Sequence, residues 1–236
     1  MRQRLLYVPI FAAFEADQLR EAVADWAEVE SFDGPGAGSR AGEDPGGPEG
    51  MAAAGAAHLD ALGWDRCVLV CDSHAQAGGI ELALRDPRVA GIAISHASAR
   101  YGPGGERPAL NPSIYEAAGR FLATDYRSFA RAITQLTQGA LDDAWVDSFI
   151  EQVPRDTAEA RTGGLPDGLE LAIRLRGEEL EILLAAHRGC MMWTPEAFED
   201  AVAALPQARA VHFDEVPLSD PGYHAELREL CARVFG

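Results

Sequence analysis

The residues best suited to chemistry cluster at one strand end. Cys71-Asp72-Ser73-His74-Ala75 places a serine between an apolar strand and a helix, next to a carboxylate and an imidazole. At such a turn a hydroxyl stands above the sheet. The backbone N–H that follows it lies at a helix N-terminus, where it can stabilise an oxyanion. A serine needs a neighbouring base to become a nucleophile at neutral pH, so the imidazoles matter. His74 is adjacent, and His96 closes the next strand. His212 lies inside a predicted strand and His224 inside a predicted helix. Asp72 and the Asp214-Glu215 pair could act as general acid or base if apolar walls raised a carboxyl pKa. For each histidine, a hydrogen-bonded packing residue is the commoner role, and for each carboxylate an ordinary solvated surface group.

These groups need a scaffold, and the chain alternates apolar runs with helical patterns, which predicts a mostly parallel α/β sheet with helices on both faces. Strands are expected at Leu5 to Ile10, Val29 to Phe32, Cys67 to Cys71, Val89 to Ser95, Leu180 to Ala186 and Ala208 to Phe213. Helices are expected at Ala16 to Trp26, Met51 to Leu62, Gln76 to Arg85, Pro195 to Ala204 and Gly222 to Val234. Cys-Val-Leu-Val-Cys at 67–71 has no polar alternation, as in a central strand buried on both faces. After a Gly/Pro loop from Tyr101 to Pro112, helical spacing runs without interruption from about Ser113 to Arg161. This predicts a helical lid at 111–161 between two parts of one α/β core, 1–110 and 162–236.

A second segment, Asp33-Gly-Pro-Gly-Ala-Gly-Ser39, looks like the D-x-P-G-x-G-x-S loop that follows a strand, through its D-x-P-G-x-G part. Together with the serine turn and the order of elements, it makes the chain resemble the α/β-hydrolase superfamily over nearly its whole length. The resemblance implies that fold, a pocket between sheet and lid, and hydrolysis of an ester, amide or similar bond by Ser, acid and His in that order. It puts Ser73 at the nucleophile position, with Cys71 and Ala75 where the motif has glycines. The N–H of His74 and an N–H near Ile10 or Phe11 would be the oxyanion donors, although Pro9-Ile10 stands where the family usually has His-Gly. Cys190 occupies the acid's place, and Asp214 with Glu215 that of the histidine. Because the triad is altered, three readings stay open: a serine hydrolase with a displaced base, a non-hydrolytic enzyme (lyase, cyclase, isomerase or cofactor-free oxygenase) using Ser73 and His96, or a binding protein without turnover.

Composition excludes other classes. The net charge of −17, with arginine as the sole basic side chain, argues against nucleic acid and anionic membranes. No apolar run approaches the roughly 20 residues that span a bilayer, and the opening Met1 to Phe14, interrupted by Pro9, reads as a strand rather than a signal peptide. A cytoplasmic location is expected. The four cysteines form no C-x-x-C pair and suggest no disulfides. A zinc site from Cys71, His74 and Cys190 is a weaker reading than buried thiols, so neither metal nor cofactor is expected. The partner is expected to be a small, partly apolar molecule: the lid aromatics Tyr115, Phe121, Tyr126, Phe129 and Trp145, with Met191, Met192 and Trp193, are mostly core, and a subset of them should line an apolar pocket.

Overall fold

The structure is a computed structural model that describes residues 2–102, 108–138, 142–163, 165, 166 and 168–236. Part of the predicted Tyr101 to Pro112 loop lies outside the described residues. In chain order the elements are β1 (Gln3–Val8), α1 (Asp17–Ala22), β2 (Ala27–Ser31), α2 (Pro48–Leu62), β3 (Cys67–Asp72), α3 (Gln76–Arg85) and β4 (Val89–Ser95). Four helices follow: α4 (Pro112–Thr124), α5 (Tyr126–Gln138), α6 (Asp143–Gln152) and α7 (Arg155–Gly163). The chain then forms β5 (Glu181–His187), α8 (Pro195–Ala204), β6 (Arg209–Phe213) and α9 (Pro221–Phe235).

The six strands pair in parallel in the order β2-β1-β3-β4-β5-β6. β3 is buried at every position, as its unbroken apolar sequence requires. Leu69 and Cys71 face one core layer, with α2, α3 and the four-helix segment, while Val68 and Val70 face the other, with α1 and α9. The chain turns back between β1 and β3, sending β2 one way and β4 the other. At such a switch point the loops at the C-terminal strand ends diverge and leave a crevice.

Two helical expectations change. The predicted Ala16 to Trp26 helix is a 3₁₀ turn, Ala13–Ala16, followed by the short α1. Glu15 turns its side chain back onto preceding amides, which tightens the first turn, and Val23 leaves helical geometry before β2. Of the predicted continuous helix between β4 and β5, residues 139–141 lie outside the described residues, and the described ones form four helices. Asp125 ends α4 in an extended conformation and caps α5 by accepting from the N–H and hydroxyl of Ser128. Val153 is extended because Pro154 follows it. Phe11 joins this segment to the sheet, its ring edge-on to Phe149 at 5.2 Å. Of the aromatics expected to form core or pocket wall, Phe129 is core and Phe121 is exposed.

Candidate active site

Asp72 is extended, and Ser73 then takes φ +50 before the chain enters a 3₁₀ turn and α3. His96, after β4, has φ +53; these are the two non-glycine residues with positive φ among the described residues. A left-handed conformation costs a side-chain-bearing residue of order 1–3 kcal/mol and persists only where its surroundings impose it. Gln76, fully buried, supplies part of that imposition. Its Nε2 donates to the carbonyls of Ser73 (2.8 Å) and His96 (3.4 Å), and its Oε1 accepts from the Ser98 N–H (3.0 Å). Tight packing behind the elbow is kept with a displaced glycine: a Cβ on Gly79 would lie 2.8 Å from Cys71 Sγ.

Ser73 Oγ accepts from the indole N–H of Trp193 at 2.9 Å and lies 3.1 Å from Nδ1 of His74, to which it can donate. The His74 residue is partly exposed, but its Nε2 is buried without a partner. Burial pushes the imidazole down to about 4, against the pull of Asp72, so His74 is neutral at pH 7 and a weak base.

His96 belongs to a second arrangement. Its Nδ1 lies 2.8 Å from Asp72 Oδ1, and both side chains are buried. Its other nitrogen is buried and makes no hydrogen bond of full geometry. Yet the ring and the Cys190 thiol are close enough to bias each other's protonation. Burial alone would lower the imidazole pKa, but Asp72 and then Cys190 hold it above its ordinary value. Burial alone would raise the Cys190 thiol, but His96 and backbone N–H groups bring it below its ordinary value. Among those donors is the N–H of Trp193, 3.4 Å from Sγ.

At the β1 end the backbone amides are taken. Glu15, 4% exposed, accepts from the N–H groups of Ile10 (2.8 Å), Phe11 (2.7 Å) and Ala12 (2.9 Å). The expected oxyanion donors Ile10 and Phe11 are therefore already engaged, a correction to the sequence reading. Burial outweighs these three hydrogen bonds and lifts the Glu15 carboxyl to about 7. Asp33 braces the same region, accepting from the N–H of Ala13 (3.0 Å) and from the N–H and hydroxyl of Ser39 (both 2.8 Å). Gly38, at φ +53, must be glycine here, because a Cβ would fall 2.3 Å from the Asp33 carboxyl carbon. Thr157 and Arg161 of α7 donate to the carbonyls of Gly36 (2.7 Å) and Pro35 (3.1 Å), fastening the helical segment to this loop.

Ser73, His74, His96, Cys190, Ile10 and Phe11 line one small cavity of about 20 Å³, room for a water molecule. His96, Cys190 and Trp193 also border a cleft of about 300 Å³ that extends to His187, Phe198 and His212. Asp214 and Glu215 do not join the site. The chain after β6 buries Val216 to Leu218 and leaves both carboxylates in solvent, Asp214 paired with Arg188 at 2.8 Å. His224 is held away from the site, 2.9 Å from the Leu218 carbonyl. The sequence reading did not single out Glu15 or Gln76. Glu15, three residues after Ala12, has the spacing of a capping carboxylate, a signal that was available. The reach of Gln76 across two strand ends was not.

Known structures cover this chain almost end to end. The esterase RhEst1 from Rhodococcus sp. ECU1013 superposes with a TM-score of 0.76 at 17% identity, covering 99% of this chain and 91% of its own. The enol-lactonase from Burkholderia xenovorans LB400 gives 0.70 at 17%, covering 100% and 92%. A bromoperoxidase from Bacillus anthracis gives 0.74 at 12%, covering 99% and 92%. The fold is that of the α/β-hydrolases. No protein-family model matches the sequence, and no curated protein matches it by sequence. Within the α/β-hydrolase fold, Ser73 stands at the strand-to-helix elbow and Cys190 follows β5. Among the described residues, no helix is long and apolar enough to cross a membrane, and no cluster of three or more His, Cys, Asp or Glu side chains is arranged for a metal ion.

Proposed function

We propose that this protein is a hydrolase-type enzyme acting on a small, partly apolar ester or other carbonyl compound in the crevice above the strand ends. The observation that carries this reading is Ser73, held at φ +50 at the elbow with its hydroxyl beside His74 Nδ1. The esterase and enol-lactonase folds lend support by analogy. In this reading His74 takes the serine proton as the hydroxyl attacks, the His74 N–H faces the developing oxyanion, and α4 to α7 serve as the lid. Because the cavity at Ser73 holds only a water-sized volume, the Trp193 indole must swing off Oγ to admit substrate.

A second reading, non-hydrolytic conversion of a carbonyl compound, is favoured by Glu15. Its carboxylate occupies the Ile10 and Phe11 amides that would otherwise complete an oxyanion hole. A fluorophosphonate probe together with a panel of short-chain p-nitrophenyl esters separates the two. Labelling at Ser73, abolished in Ser73→Ala together with the part of the ester turnover that the probe inhibits, is the expected result. Conversion of a carbonyl substrate that still needs Ser73, without labelling or ester turnover, would replace hydrolysis with the second reading.

A further inference from the structure

We propose that Cys190 is a nucleophile in its own right, activated by His96 and oriented through Asp72, and that it accepts acyl groups from small esters or thioesters entering by the 300 Å³ cleft. This goes beyond the Ser73 reading and does not depend on it. A cysteine alone would carry no such weight, but His96, whose Nε2 is buried without a partner, borders the same small cavity and the same cleft as Cys190, and three features support the pairing.

The first is the buried Asp72 Oδ1 to His96 Nδ1 contact at 2.8 Å, which fixes the ring and leaves the other nitrogen free. That is the arrangement in which an imidazole serves as base with a carboxylate behind it. The second is the left-handed backbone at His96, a non-glycine conformation that its surroundings must impose. The third is the Trp193 N–H aimed at Sγ from 3.4 Å, a donor that favours the anionic sulfur. The remaining cysteines differ. Cys67, Cys71 and Cys231 are buried, and burial holds each thiol above its ordinary pKa. The other ionisable groups facing the pair include His74 across the small cavity, His187, whose ring lies 6.4 Å from that of His96, and Arg188 and His212 along the cleft.

The step balances with water as the only co-reactant. The Cys190 thiolate attacks the acyl carbonyl carbon, an S–C bond forms, and the bond to the leaving alkoxide or thiolate breaks. The leaving group takes the proton of the His96 imidazolium. Neutral His96 then removes a proton from water as it attacks the thioester, releasing a carboxylic acid and returning the thiolate-imidazolium pair.

Iodoacetamide alkylation across pH, read at each cysteine by peptide mass spectrometry, tests the nucleophile. Cys190 should react first and retain its reactivity below pH 7, where an ordinary thiol, with a pKa of about 8.5, is protonated. In His96→Gln the rate at pH 6.5 should drop at least about tenfold and the profile should move to that of an ordinary thiol. The thiolate ultraviolet absorbance of the unaltered protein, titrated against Cys190→Ser, gives the same information without touching His96. Acylation is read by peptide mass after brief exposure to a short-chain thioester, with an adduct on the Cys190 peptide present in Ser73→Ala and absent from that peptide in Cys190→Ser. An ordinary alkylation profile indifferent to His96, a thiolate that forms only near pH 8.5, or no adduct on Cys190 would overturn the proposal. Each of these results leaves Ser73-dependent ester turnover free to stand or fall separately.

Discussion

The two ends of the crevice treat buried polar groups in opposite ways. At the β1 end Glu15 accepts from three successive amides, and Asp33 with Ser39 locks the loop around it. The N–H groups of Ile10, Phe11 and Ala12 all have an acceptor there, although Arg161 Nε behind the loop is buried without one. At the β4 and β5 ends, His96 has one nitrogen on Asp72 and the other unpartnered, beside a thiol whose sulfur already accepts an N–H. Backbone amides tied to a carboxylate mark one end as scaffold, and a base nitrogen without a hydrogen bond, beside a thiol and a cleft, marks the other as chemistry. Ser73 stands between them, its hydroxyl held by Trp193 and His74.

The sharpest way to break this contrast is to empty the β1 end. Glu15→Ala orphans three amides, each worth about 1–3 kcal/mol when buried and unsatisfied, so a loss of about 4 kcal/mol is expected in urea unfolding. A loss under about 1 kcal/mol would mean that water replaces the carboxylate at those amides. Asp72→Ala attacks the other end. It should cost about 3 kcal/mol, because it leaves a buried imidazole without its carboxylate. Unlike Glu15→Ala, it should also slow Cys190 alkylation. If both variants slow it equally, the two ends are not functionally distinct.

Gly38→Ala adds a side chain at φ +53 against Asp33 and should destabilise by about 2 kcal/mol. Thermal melts would register it, while the alkylation rate of Cys190 should stay unchanged. The smallest effects are in pH dependence. Glu15 is raised from 4.5 to about 7, so the folded chain holds a proton that the unfolded chain releases, and this contribution falls as pH rises from 4.5 to 7. His74 is lowered from 6.5 to about 4, so its contribution falls as pH drops from 6.5 to 4. Between pH 4.5 and 6.5 the two slopes oppose each other. Glu15→Gln should leave the His74 slope, with stability falling toward acid by up to about 1.4 kcal/mol per pH unit. His74→Asn should leave the opposite slope. Urea titrations at several pH values would show whether these signs hold.

Much of the scaffold was legible from residue types. Cys67 to Cys71 and Val89 to Ser95 read as buried strands, because runs with no polar alternation need cover on both faces, and they are strands of the sheet. The place of the turn at Ser73 and the loop from Asp33 to Ser39 could be read from local spacing, although the positive φ of Ser73 is held by Gln76 from outside the turn. Where spacing met a capping side chain or a proline, at Glu15, Asp125 and Pro154, the helical pattern misjudged the breaks, because periodicity does not register a backbone hydrogen bond taken by a side chain. Only the folded chain decided which ionisable groups meet. Asp72 and His96 are far apart in sequence and 2.8 Å apart in space because β3 and β4 are neighbours, with Asp72 paired to Ser95. Asp214 and Glu215 looked equally suitable but turn to solvent, because the chain after β6 buries Val216 to Leu218 instead. Residue type fixes what a group can do; strand order and burial determine what it meets, and hence its protonation state.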